Sequence, residues 1–275
     1  MGKRIILKNL QVADFIHNRE LELQKSVINS PEVKKLIELV SDVNLRLNKT
    51  KIQGTYIQLT EQTAPNVLAV LADVCRILDH AQVPEVYMTK MASLTMVPCT
   101  AETDYIVVSD YVLEHYDEEM LYFSFGNAIA MIKVGHVKMT TAAAYMGCNI
   151  RTALPQIKFK EYLLAADATS DRGGLLACQS LAAAARVHFF ELGLPPAITR
   201  ELFATDEEAA QYIERYLAAV AEKNDTDRKL TQLGEWWMDL NYTEAAANNM
   251  LLDLYVWYRK HYNAVLAKYG TEVSQ

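Results

Sequence analysis

Glycine and proline are scarce in this chain, ten and seven among 275 residues, and no stretch concentrates them. That scarcity argues against a flexible linker, so residues 1–275 are expected to form a single domain. Cysteine is scarcer still. Cys75, Cys99, Cys148 and Cys178 lie far apart and include no Cys-x-x-Cys pair. This excludes a disulfide-dense scaffold and a zinc-ribbon spacing, and the expectation is reduced, mostly buried thiols in a cytoplasmic protein. Lys, Arg or Asp interrupts every apolar run short of the roughly 20 residues that a membrane span requires. The opening residues, Met1-Gly2-Lys3-Arg4-Ile5-Ile6, lack the apolar core of a signal peptide and the Ser or Thr that myristoylation uses at the sixth position. Positive charge is also short: 27 Lys and Arg against 34 Asp and Glu give a net charge of −7. A nucleic-acid partner is therefore not expected. The pairs Lys34-Lys35 and Arg259-Lys260 fall inside helical patterns and read as solvated faces.

What is present is the profile of a globular protein, 51% hydrophobic and 22% charged. Ser30-Pro31 is a helix-start signal, followed by Val33, Leu36, Ile37, Val40, Val43 and Leu47 at helical spacing. Lys51 to Thr60 reads as a short strand with a bulge at Gly54. Pro65 opens a helix with Val67, Leu68, Leu71, Val74, Cys75 and Leu78 on one stripe. Pro84 to Met88 and Thr103 to Ser109 read as strands, the second apolar enough to be internal. Helices are expected over Ser109–His115, Glu118–Met146, Phe159–Phe190, Glu207–Glu222, Asp227–Met238 and Thr243–Tyr269. The fold class that follows is α+β, mainly helical, with one small β-sheet.

Residues 121–137 repay a closer reading. In a zinc-peptidase helix, His-Glu-x-x-His sets two imidazoles on one face, with the Glu as general base. Gly126 to His136 has that frame with Asn127 and Met131 at the two His positions and Ala128 at the Glu. Elsewhere, Pro84-Glu85-Val86-Tyr87, the run from Tyr105 to Ser109 leading into Asp117-Glu118-Glu119, Ser170-Asp171-Arg172-Gly173-Gly174-Leu175-Leu176-Ala177, and Asn224 to Arg228 followed by Leu233 and Trp236 occur in order. Together these resemble the HtpX/CAAX-prenyl-protease family of gluzincin zinc metallopeptidases, in a soluble form, over about residues 55–237. The resemblance implies one metallopeptidase-like domain with helical extensions at both ends packed on it.

The departures fall on the positions that the family uses. Its third ligand, a Glu, corresponds to Asp167, one methylene shorter; Asp171 keeps the acidic position four residues later, and Arg228 keeps the late Arg. With Asn127 and Met131 in place of the imidazoles, no nitrogen donor suited to zinc remains. Ala128 cannot accept a proton, a function typically worth about 10²–10⁴-fold. A family strand that pairs with extended substrate corresponds to Thr95-Met96-Val97-Pro98-Cys99, where Pro98 removes a backbone donor. The resemblance thus implies a pseudopeptidase: no catalytic residues, no metal, no cofactor, and six vestigial positions at Asn127, Ala128, Met131, Asp167, Asp171 and Arg228. Such a protein would act by binding a peptide, a protein partner or a small ligand, with self-association left open.

Two other readings compete. One is a zinc-dependent metalloendopeptidase or other hydrolase with a rearranged metal site using Asp167, Asp171 and His136. The other is a structural or oligomerising protein whose cleft is plugged. Each residue also has a plainer role. Asn127 and Met131 can be ordinary helix residues, and Asp167 and Asp171, one turn apart, can be relieved by Arg172 or Asn127. His136 reads as a surface or cap residue, and Trp236-Trp237 with Trp257 as closing a C-terminal core. His17, His80, His115, His188 and His261 form no metal-ligand spacing among themselves.

Overall fold

The computed structural model describes residues 3–29, 31, 34–35, 38, 50–90, 96–100, 103–139, 153–226 and 244–273. Strand β1 (Ile5–Leu7) opens the chain and pairs antiparallel with β6 (Gly270–Val273). Helix α1 (Asn18–Leu23) runs into a wider turn over Gln24–Ile28. Next come β2 (Ile57–Gln58), α2 (Pro65–Ile77), β3 (Glu85–Thr89), β4 (Met96–Thr100) and β5 (Asp104–Ser109). The rest is helical: α3 (Asp110–His115), α4 (Glu118–Val134), α5 (Ala153–Cys178), α6 (Leu181–Glu191), α7 (Pro196–Leu202), α8 (Asp206–Thr226), α9 (Glu244–Trp257) and α10 (Asn263–Tyr269). The molecule is α+β and mainly helical, with a small sheet. Among the described residues, no helix is long and apolar enough to cross a membrane.

The four-stranded sheet has the order β2-β3-β5-β4, with β3 and β5 parallel and the outer pairs antiparallel. β5 lies inside, and its Tyr105, Ile106, Val107, Val108 and Ser109 are all buried, as a run of apolar residues without alternation requires. Alternate residues serve different cores. Val86, Ile106 and Val108 join the helices, while Tyr87, Tyr105 and Val107 meet Ile52 on the opposite face. β4 forms one edge. Pro98 pairs with Ile106 there, and an edge strand tolerates a missing donor.

α4 is the axis of the helical core. Asp117 caps its start by accepting from the Met120 N–H at 3.0 Å, and Gly135, at φ +85°, ends it in the left-handed conformation. Apolar residues surround it on all sides, Leu121, Phe123, Phe125 and Ile129 among them, the mark of a central helix rather than an amphipathic surface one. It crosses α5 at close range. A Cβ on Gly126 would overlap the Ala177 Cβ and come within 2.9 Å of the Gly174 Cα, and one on Gly174 would stand 2.8 Å from the Phe123 carbonyl oxygen. Small residues on both helices permit that approach.

Several expected elements differ. Residues 50–55 are helical, and only Ile57–Gln58 of the expected 51–60 strand enters the sheet. Burial of Ile52 against Tyr87, Tyr105 and Val107 overrides local β-preference. The helix expected to reach Met146 ends at Val134, and residues 140–146 lie outside the described ones. The helix expected over 159–190 is two. Gln179 takes φ +54°, its amide bonds both the N–H and the carbonyl of Ile5 at 2.8 and 2.6 Å, and the Ser180 hydroxyl caps α6 at Ala183 N–H, 3.1 Å away. The helix expected over 243–269 is interrupted by a wider turn at Tyr258–Tyr262. Most of the expected 30–47 helix, all of 227–238, Arg228, Trp236-Trp237 and Cys148 lie outside the described residues. Cys75 and Cys178 are buried free thiols and Cys99 is half-buried.

Candidate functional site

α4, α5 and α6 converge beside the β4 edge and leave a cleft of about 270 Å³. α4 supplies Phe123, Ser124 and Asn127; α5 supplies Asp167 and Asp171; α6 supplies Val187, His188 and Glu191. Met96 and Val97 of β4, Val112 of α3, the following Tyr116 and Met250 of α9 complete the wall. Helical spacing explains the arrangement: Asp167 and Asp171 are one turn apart on α5, so both face the same groove. Arg172, the next residue, points elsewhere. It bonds Asp253 at 2.8 Å and the carbonyls of Phe15 and Ile16 at 3.4 and 3.3 Å.

Asn127 donates its amide N–H to Asp171 Oδ1 at 2.8 Å. The other oxygen of Asp171 lies 3.3 Å from His188 Nε2. That separation suits an ion pair, but the alignment is not a hydrogen bond, and neither Asp171 Oδ2 nor His188 Nε2, both buried, has a hydrogen-bond partner among the described residues. The His188 ring rests edge-on against Phe123, centroids 5.6 Å apart. Burial opposes protonation of His188, but Asp171 and Glu191 outweigh it and raise the imidazole pKa.

Asp167 has no hydrogen bond or ion pair among the described residues. Enclosure in the cleft, then the charges of Asp171 and Glu191, push its carboxyl from 3.8 to about 7. Glu191 is exposed as a residue, yet crowding at the cleft mouth and Asp171 raise its carboxyl, while His188 and the Tyr116 hydroxyl pull the other way. Burial first, then Glu191, hold the Tyr116 hydroxyl well above its ordinary value. No lysine or arginine lines the cleft among the described residues.

Of the six positions singled out in the sequence, Asn127, Asp167 and Asp171 come together here. Ala128 is buried, Met131 is half-buried, and neither lines the cleft; Arg228 lies outside the described residues. His136 is not a surface residue. It is 1% exposed and meets Glu20, itself 0% exposed, at 2.6 Å, and Thr169 also donates to that carboxylate. Thr169 is two residues from both Asp167 and Asp171, hence on the far side of α5, so His136 does not join the two aspartates. Sequence reasoning missed His188, Glu191, Tyr116 and Ser124. Only the shared face of His188 and Glu191, three apart on α6, could have suggested them, and nothing local ties that face to Asp171.

The Asn127 amide is turned to Asp171, a single imidazole is present, and no three His, Cys, Asp or Glu side chains gather as a metal-holding group among the described residues. What the arrangement can do is offer free carboxyl oxygens in a half-apolar groove. Comparison with protein-family models, with curated proteins and with solved structures finds no match.

Proposed function

We propose that this chain is a catalytically inactive, gluzincin-like metallopeptidase homologue that acts by binding a ligand in the former substrate cleft. One observation carries the reading. The cleft of about 270 Å³ has Asn127, Asp167 and Asp171 in its wall, three positions that the sequence resemblance picks out without reference to any pocket. The 2.8 Å bond from Asn127 to Asp171 adds support, because it joins the first His position of the motif to the acid four residues after the third-ligand position. The close packing of Gly126 against Gly174 and Ala177 is consistent with a retained scaffold. The chemistry is another matter. Ala128 supplies no base, and no three His, Cys, Asp or Glu side chains gather as a metal-holding group among the described residues; both observations support the binding reading over a rearranged metallohydrolase. An open cleft favours it over a plugged structural relic.

Purified full-length protein tests the proposal by metal content and by casein cleavage with zinc added. The expected outcome is substoichiometric zinc and no cleavage above a blank. Stoichiometric zinc together with casein cleavage abolished by a chelator would overturn it.

A further inference from the structure

We infer that the cleft accepts an organic cation, an ammonium or guanidinium group carried on an apolar stem. The inference rests on the binding reading above and specifies the chemistry of the ligand. Three carboxyls, Asp167, Asp171 and Glu191, face one imidazole, His188, and no lysine or arginine stands among the described lining residues. The described lining thus holds three acidic groups against one basic one, an imbalance that a ligand cation would complement.

An unsatisfied acceptor points to the same ligand. Asp171 is 3% exposed and lines the cleft, yet its Oδ2 has no hydrogen-bond donor among the described residues, its other oxygen being taken by Asn127. His188, also 3% exposed, stands 3.3 Å away out of alignment. A buried acceptor without a donor is costly, and a ligand N–H would relieve that cost. Asp167, one turn back, has no hydrogen bond or ion pair among the described residues, so a forked or three-donor cation could reach both. The remaining wall, Val112, Val187, Phe123, Met96, Val97 and Met250, suits a methylene stem. Size narrows the choice further. A volume of about 270 Å³ falls just below the roughly 300–1,000 Å³ of sites for drug-sized ligands, so it fits one basic side chain or a small amine.

Titration of full-length protein with N-acetyl-lysine amide, agmatine and a lysine-containing tripeptide tests this, with N-acetyl-norleucine amide and N-acetyl-glutamate amide as neutral and anionic counterparts. Binding is read from the methyl resonances of Met96 and Met250. The cations are expected to shift both methyls and to bind at least about tenfold more tightly than the neutral analogue. Asp167→Asn and Asp171→Asn should each weaken them by about tenfold or more, while Glu22→Gln at the surface changes nothing; the fold of each variant is checked by circular dichroism. Tighter binding of the tripeptide than of agmatine would assign the cation to a peptide side chain, and the reverse to a free amine. Equal binding of the neutral or anionic analogue, indifferent to Asp167→Asn, would overturn the cation while leaving a binding cleft. Failure of every probe to move either methyl would overturn both.

Discussion

Asp167 is the residue where the proposed function and stability oppose each other most directly. Its carboxyl is raised from 3.8 to about 7 by enclosure and by Asp171 and Glu191, so the folded chain holds a proton that the unfolded chain has released. A raised folded value gives a contribution fully present below about 4 and lost as pH climbs through about 7. His188 acts in the same sense: raised by Asp171 and Glu191 against the burial that opposes it, it contributes stability that is lost as pH rises through its folded value. Asp253 runs the other way. Burial opposes its ionisation, but His17 and Arg172 lower it overall, so its contribution is lost only as pH falls through its depressed folded value. Asp167→Asn should therefore stabilise the protein at pH 8 by about 1–2 kcal/mol after allowance for solvent screening, with little change at pH 4.5, as read by urea unfolding at the two values. Equal shifts at both would show that the carboxyl is not strained.

At the scale of elements, the crossing of α4 and α5 sets the cleft. A Cβ on Gly173 would overlap the Ala130 Cβ on the facing helix. Gly173→Ala is thus expected to cost about 1–3 kcal/mol, although alanine is the better helix former. Adding Ala130→Gly should return part of that loss, and a lack of coupling in a double-mutant cycle of unfolding free energies would contradict the packing described.

Much of this level was legible in the sequence. The helix starts expected at Ser109 and Glu118 match α3 and α4, whose first turns Ser109 and Asp117 cap, and the apolar run Tyr105 to Val108 announces an internal strand. The illegible parts depend on distant partners. Gln179 breaks a pattern that is helical from Phe159 to Phe190 because its side chain is held by Ile5, 174 residues away in sequence. Ile52 leaves a β-like segment to cover Tyr87 and Tyr105. The site divides along the same line: Asn127, Asp167 and Asp171 carried a local pattern, whereas His188 and Glu191 enter from α6 with none.

Over the whole molecule, the two ends of the chain meet. β1 pairs with β6, Lys8 N–H donates to the Tyr269 carbonyl at 3.0 Å, and Arg4 stacks over Tyr122 of α4, 3.5 Å from its centroid, while pairing with Glu119 at 2.7 Å. Gln179 pins β1 from the α5–α6 junction. Gln179→Ala removes two hydrogen bonds to Ile5 backbone groups and should lower stability by about 1–3 kcal/mol, with hydrogen exchange at the chain termini rising while that of β5 is unchanged. A rise in β5 exchange of equal size would mean that the ends and the sheet unfold as one unit.

The central claim is that a peptidase frame persists without its chemistry, and zinc stoichiometry in a restored variant tests it most directly. Positions 127 and 131 are one helical turn apart and share a face, so Asn127→His, Ala128→Glu, Met131→His and Asp167→Glu together should recreate a ligand set and base. The account predicts one zinc per chain in the folded fourfold variant and none in the native protein. A folded variant that binds no zinc, or a native protein that binds it one to one, would contradict the account.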